Sequence, residues 1–122
     1  MTPMSRALTG EHLTFHLGDL VEELRRDENY VRSGRSGRTL VKEGVFRLTL
    51  TVLAKGADVE THHAVAPMTL QVLEGGLRYR VGEEVFELGA GQLLFFGPGH
   101  ARDIRALEDT AMLLTITGED QG

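Results

Sequence analysis

The feature of this sequence that most constrains its fold is the close spacing of glycines across its central part. They occur at Gly44, Gly56, Gly75-Gly76, Gly82, Gly89, Gly91, Gly97 and Gly99. Glycine is favoured in tight turns because it adopts positive φ angles without steric cost. Short segments between closely spaced turns are typical of the strands of a sandwich or barrel. This part of the chain is therefore predicted to be all-β.

The segments between these turns alternate apolar and polar residues, as half-buried strands do. The clearest case runs from Phe46 to Val52, where apolar residues alternate with Arg47, Thr49 and Thr51. Similar alternation occurs over residues 77–81 and 112–116. We expect the apolar side of each strand to face the interior. The candidate interior or pocket-lining residues are Phe46, Leu48, Leu50, Val72, Phe96 and Ile104.

The N-terminal third is organised differently from the glycine-rich part. Residues 1–12 are predicted to be a flexible tail, and residues 13–39 an N-terminal strand, helix and connector preceding a barrel over 40–118. Residues 13–18 are interpreted as an edge strand. Residues 19–27 predict one short helix, because Asp19 and Glu22 suit its first turn. Residues 33–38 are rich in glycine, serine and arginine, which favours a mobile loop.

Composition excludes several classes of protein. With no cysteine among 122 residues, disulfides, thiolate metal sites and cysteine nucleophiles are excluded. The net charge of −5 disfavours nucleic acid as a partner, and no apolar run is long enough for a membrane span. The N-terminus has no pattern of a signal peptide. A cytoplasmic protein with no membrane partner is expected.

The glycine framework resembles that of the cupin family. The first cupin motif runs Gly, five residues, His-x-His, three or four residues, Glu, six residues, Gly. The second runs Gly, five residues, Pro-x-Gly, two residues, His, three residues, Asn. In this sequence the two motifs begin at Gly56 and at Gly91, and the resemblance covers roughly residues 40–117. It implies a double-stranded β-helix, the cupin jelly-roll barrel, with a pocket between two sheets.

The metal-ligand positions of these motifs are mostly replaced. They hold His62, Ala64, Met68 and Arg102, so that one of the four ligands is kept. A thioether is a poor substitute for a carboxylate, and a guanidinium repels cations. We therefore expect no metal cofactor. The alternative is an iron, manganese, nickel, copper or zinc site formed by His62, His63 and His100, which requires the backbone to break strand alternation.

Arg102 suggests a different use for the pocket. Its planar guanidinium suits a carboxylate or phosphate, with His62 as a second donor and Tyr79 and Met68 as further candidate ligand-binding residues. The alternative for Arg102 is a structural ion pair with an acid such as Asp103 or Glu60. No catalytic motif is present, so no reaction is assigned and a binding protein is favoured over an enzyme.

Three functions from different classes remain open on the sequence. The favoured one is a small cupin that binds a small molecule, such as a carboxylate or phosphate, with little or no metal chemistry. The second is a metal-dependent cupin enzyme of dioxygenase or isomerase type, which the resemblance implies. The third is a structural module with a vestigial pocket. A homodimer is also expected, with residues 13–54 supplying much of its interface, because an amphipathic N-terminal segment must bury its apolar side.

Overall fold

The computed structural model describes residues 10–61, 67–97 and 102–118, and describes side chains for residues 10–59, 67–97 and 103–118. The helices are α1 (Leu17–Arg25) and α2 (Glu28–Ser33). The strands are β1 (Arg35–Glu43), β2 (Phe46–Leu53), β3 (Asp58–Thr61), β4 (Met68–Glu74), β5 (Gly76–Val81), β6 (Glu84–Gly89), β7 (Leu93–Phe96), β8 (Arg102–Ala106) and β9 (Thr110–Ile116). Across these ranges, neither helix has the length and apolar character needed to cross a membrane.

The strands form two antiparallel sheets. A five-stranded sheet has the order β1-β2-β9-β4-β7, and a four-stranded sheet has the order β3-β8-β5-β6. Strands adjacent in space are often distant in sequence, as where β9 lies between β2 and β4. The predicted all-β class is confirmed, and this order is that of a double-stranded β-helix.

The main hydrophobic core lies between the two sheets. It contains side chains from both of them, including Leu70 and Val72 of β4, Leu77 and Tyr79 of β5, and Ile104 of β8. Each of these is at most 2% exposed. Burying a side chain of this size stabilises the fold by about 1.5–3 kcal/mol. The prediction that Val72, Phe96 and Ile104 face the interior is confirmed.

A second core lies on the outer face of the five-stranded sheet, where α1 packs. Val21 and Leu24 of α1 are each 2% exposed and join Leu50 and Val52 of β2. Leu48 packs against the same cluster. The prediction that Leu48 and Leu50 line the barrel interior is therefore wrong, because the helix covers the apolar side of β2 from outside. Phe46, also expected inside, is 39% exposed.

The N-terminal elements differ from their prediction in three ways. Residues 13–16 form no strand, and α1 begins at Leu17, two residues before the predicted start. A second helix, α2, follows it where one helix was expected. The predicted loop over residues 33–38 is instead the end of α2, followed by β1 from Arg35. The ladder with β2 accounts for this strand, since Arg35 to Thr39 pair with consecutive residues from Leu53 to Thr49.

The junction between α2 and β1 is held by a small polar network. Gly34 ends α2 with φ of +78°, a left-handed conformation that glycine adopts readily. The Ser36 hydroxyl donates to Asp27 Oδ2 at 2.6 Å. This hydrogen bond lowers the pKa of the Asp27 carboxyl. These contacts attach α2 to the beginning of β1.

Candidate functional site

The predicted site residues are described to different extents. Met68 and Tyr79 are described fully, and Arg102 is described for its backbone alone. His62, His63 and His100 lie outside the described residues. The predicted roles of these three histidines therefore remain predictions.

Met68 is the first residue of β4, at one end of the five-stranded sheet. It pairs with Phe96 of β7 on one side and with Ile116 of β9 on the other. Because alternate residues of a strand share a face, Met68 lies on the same side as the interior residues Leu70 and Val72. It is half-buried. Met68 thus stands where the packed core meets the end of the barrel.

Tyr79 forms part of the interior wall opposite Met68. It is 2% exposed and belongs to the core between the sheets. Its ring centroid lies 5.4 Å from that of Phe96 and 6.1 Å from that of Phe86, in tilted arrangements that favour aromatic pairs. Phe96 therefore joins the two sheets, since it contacts Tyr79 and pairs with Met68. Tyr79 is a core residue by its packing, and its predicted contact with a ligand remains untested.

The backbone of Arg102 lies at the same end of the barrel. It pairs with Val81 of β5 on one side and with Thr61 of β3 on the other. Thr61 is the residue that precedes His62 in the sequence. The strand register therefore brings the end of the first motif's strand beside the start of the second motif's strand, as the cupin resemblance implies.

The interior has a polar wall that the sequence analysis missed. Thr49 and Thr51 of β2 pair with Leu114 and Met112 of β9, whose side chains belong to or pack against the core between the sheets. Directly opposed residues share a face of the sheet, so both threonines face the interior. Arg47 has the same strand parity and is half-buried. The sequence signal for this polar wall was the alternation of β2, but the apolar residues of the strand, and not the threonines, were expected to face the interior.

The residues described at the motif positions do not fit a conventional cupin metal site. Met68 supplies a thioether where the motif has a carboxylate, and position 102 holds an arginine where the motif has a histidine. Within residues 10–61, 67–97 and 102–118, no group of three or more histidine, cysteine, aspartate or glutamate residues is placed to hold a metal ion. We therefore derive no chemistry through a metal.

Comparison with known proteins establishes the fold. Neither a protein-family model nor a curated protein matches this sequence. A cupin superfamily protein from Desulfitobacterium hafniense is 14% identical, with a TM-score of 0.66 over 70% of this chain and 78% of its own. The Cupin_2 domain of an XRE family transcriptional regulator from Enterobacter cloacae is 18% identical, with a TM-score of 0.64 over 71% and 99%.

A third solved structure is similar over more of the chain. A protein of unknown function from Rhizobium leguminosarum has a TM-score of 0.72 at 16% identity, over 90% of this chain and 100% of its own. At identities this low, the likeness concerns the fold and not the activity. The chain has the fold of a small cupin domain, as its glycine spacing predicted.

Proposed function

We propose that this protein binds a small anionic molecule, such as a carboxylate or a phosphate, inside its barrel and with little or no metal chemistry. The observation that carries the proposal is the mixed lining of the interior. Thr49 and Thr51 form a polar wall on β2, whereas Tyr79 of the facing sheet and Phe96 of β7, which contacts it, form an apolar wall. Small-molecule sites commonly combine an apolar lining with a few polar groups that fix the ligand's orientation.

Each polar residue has a distinct role in this proposal. Arg102 supplies two parallel N–H donors to a carboxylate or phosphate, and strand alternation relative to Ile104 is the reason to expect its side chain inside. His62 is the second donor when it is protonated. The threonine hydroxyls orient the rest of the molecule. Met68 and Tyr79 limit the space in which the molecule can lie.

The proposal predicts ligand-dependent stability that requires Arg102. At a concentration one hundred times its Kd, a ligand that binds the folded state adds about 2.7 kcal/mol to the free energy of unfolding. We expect carboxylate or phosphorylated metabolites to raise the Tm of the wild-type protein and to lose most of that effect on Arg102→Ala. Thermal denaturation of both proteins with a panel of such metabolites measures this.

The matched control is Arg26→Ala, which removes an exposed arginine at the end of α1. This variant should respond to the metabolites as the wild type does. An equal response in Arg102→Ala and in the wild type would contradict the role of Arg102. The absence of any response across the panel would favour a structural module with a vestigial pocket.

The alternative function is a metal-dependent cupin enzyme, of dioxygenase or isomerase type, that uses His62, His63 and His100. These residues lie outside the described part of the chain, and within the described part no group of three or more histidine, cysteine, aspartate or glutamate residues is placed to hold a metal ion. This metal-dependent alternative is less well supported than anion binding, because Met68 and Arg102 occupy two of the four ligand positions.

We further propose that the protein is a cytoplasmic homodimer, with residues 13–54 in its interface. The apolar side of α1 is buried within its own chain, so it does not supply that interface. Exposed apolar side chains in the same region support the proposal, since Val31 is 76% and Val45 56% exposed. Light scattering at micromolar concentration should give twice the monomer mass for the wild type. A monomeric mass would contradict the proposal.

A further inference from the structure

The outer face of the four-stranded sheet contains an open recess that is separate from the barrel interior. Arg78 and Arg80 of β5 are exposed there, while their neighbours Leu77 and Tyr79 point into the core. Asp103 and Arg105 of β8 alternate with Ile104 in the same way. The recess has a volume of about 540 Å³. This lies within the range of about 300–1,000 Å³ that is usual for small-molecule sites.

Two of the three arginines in the recess are paired with acids from neighbouring strands. Arg80 Nη2 donates to Asp103 Oδ2 at 2.6 Å, and this hydrogen bond raises the pKa of the Arg80 guanidinium. Arg105 Nη1 lies 3.3 Å from Asp58 Oδ1. The four side chains are each between about two-fifths and three-fifths exposed, so these pairs orient the guanidinium groups more than they stabilise the fold.

Arg78 differs from the other two arginines. Among the described residues it forms no ion pair or hydrogen bond through its guanidinium, and Glu87, its neighbour on β6, does not pair with it. On its other side it lies directly opposite Arg105. Like charges at directly opposed positions of a sheet destabilise it. An anion between Arg78 and Arg105 would remove that repulsion and supply the missing partner of Arg78.

The arginines of the recess supply the charge that such a ligand requires. Among the described side chains, three arginines and two aspartates line it, and Glu87 of β6 lies beside it, opposite Arg78. Val85 of β6, which is 51% exposed, adds an apolar wall beside Arg80. The geometry points to a second binding site, in which Arg78 and Arg105 hold the oxyanion of a small organic phosphate or carboxylate and Val85 contacts its organic part.

The test is a titration of the intact protein followed by amide and arginine side-chain NMR at low ionic strength. The probes are inorganic phosphate, succinate and, at matched ionic strength, chloride. We expect saturable shifts at the outer face of β5 and β8 with phosphate or succinate. The anion with the lower Kd, phosphate or succinate, identifies the class of oxyanion that the site prefers. Chloride should leave these resonances unchanged. Equal shifts with all three would reduce the effect to general screening and overturn the site.

Variants separate this site from the barrel pocket. Arg78→Gln should weaken the binding about tenfold, because it removes one charged donor, and Asp58→Asn should strengthen it by freeing Arg105. Arg26→Gln serves as the control of equal charge change, and Arg102→Ala should leave the recess shifts intact. Binding that survives Arg78→Gln but is lost in Arg102→Ala would overturn the recess site and support the barrel pocket. The amide spectrum of each variant shows whether it is folded.

Discussion

Gly75→Ala is expected to lower the free energy of unfolding by about 3 kcal/mol or more, the largest single-residue effect that we predict. Gly75 connects β4 to β5 with φ of +81°, in the left-handed region that residues with a Cβ adopt at a cost. A Cβ at this position would overlap the backbone carbonyl oxygen of Asp109 and lie 2.9 Å from Thr110 Oγ1. Chemical denaturation of the variant and the wild type measures the loss.

The surroundings of Gly75 explain why the structure does not accommodate the extra atom. The Thr110 side chain is fully buried, and its hydroxyl lies 2.9 Å from the carbonyl oxygen of Gly76 and 2.8 Å from that of Glu108. It also accepts from the Gly76 N–H, at 3.3 Å. A shift of the backbone at Asp109 would disturb these bonds, and buried polar groups are costly to leave unpaired.

Gly82→Ala provides the matched control for Gly75→Ala. Gly82 has φ of +60°, but no atom lies within 4 Å of the position that its Cβ would take. Its substitution therefore tests the backbone cost alone, which is about 1 kcal/mol. Equal losses in the two variants would contradict the close approach of Gly75 to Asp109.

The second large effect is expected from Leu24→Ala, which should cost about 2–4 kcal/mol of folding free energy. Leu24 is 2% exposed and lies in the cluster that joins α1 to the outer face of the five-stranded sheet. Its truncation leaves a cavity between helix and sheet as well as losing buried area. Denaturant unfolding at several protein concentrations measures the change and shows whether it depends on association.

Leu93→Ala is the control for Leu24→Ala, because it makes the same truncation at a residue outside the proposed dimer interface. Leu93 lies on β7 and is 62% exposed, so its truncation should change the free energy of unfolding by less than about 0.5 kcal/mol. A loss below about 1 kcal/mol for Leu24→Ala would contradict the packing of α1 on its own chain. Such a result would favour a dimer interface formed by the apolar side of α1.

The position of α1 also explains which part of the fold the sequence could not predict. Alternation in β2 separates Leu48 and Leu50 from Thr49 and Thr51, but it does not say which set faces the other sheet. Because α1 covers the outer face of the five-stranded sheet, the apolar residues of β2 face the helix. The polar residues of β2 therefore line the barrel interior. The amphipathic α1 was visible in the sequence, but its docking surface depends on tertiary packing.

Tertiary packing also overrides the local sequence preference at the beginning of β1. Gly34 and Gly37, with the serines and arginines around them, have the composition of a loop. Pairing with β2 nevertheless extends the strand to Arg35. Gly37 faces Thr51 in that ladder, and a Cβ there would lie 3.3 Å from the carbonyl oxygen of Leu50. Its glycine thus suits a close approach of two strands and not a turn.

The two candidate sites differ in how far the sequence could predict them. Position 102 was found because the motif spacing fixes its place in β8, and the register with Thr61 agrees with that place. The outer recess has no such signal. Asp58, Arg78 and Arg105 belong to three strands, and only the order β3-β8-β5 brings them into one row.

Native mass spectrometry of protein purified without a metal-affinity tag tests the central claim most directly, because it weighs whatever the barrel retains. We predict that the wild-type chain carries a small organic anion and that Arg102→Ala does not. No transition metal should be released when the wild-type protein is unfolded. One transition-metal ion per chain, kept in Arg102→Ala and lost in His62→Ala, would contradict the account and establish the metal-dependent alternative.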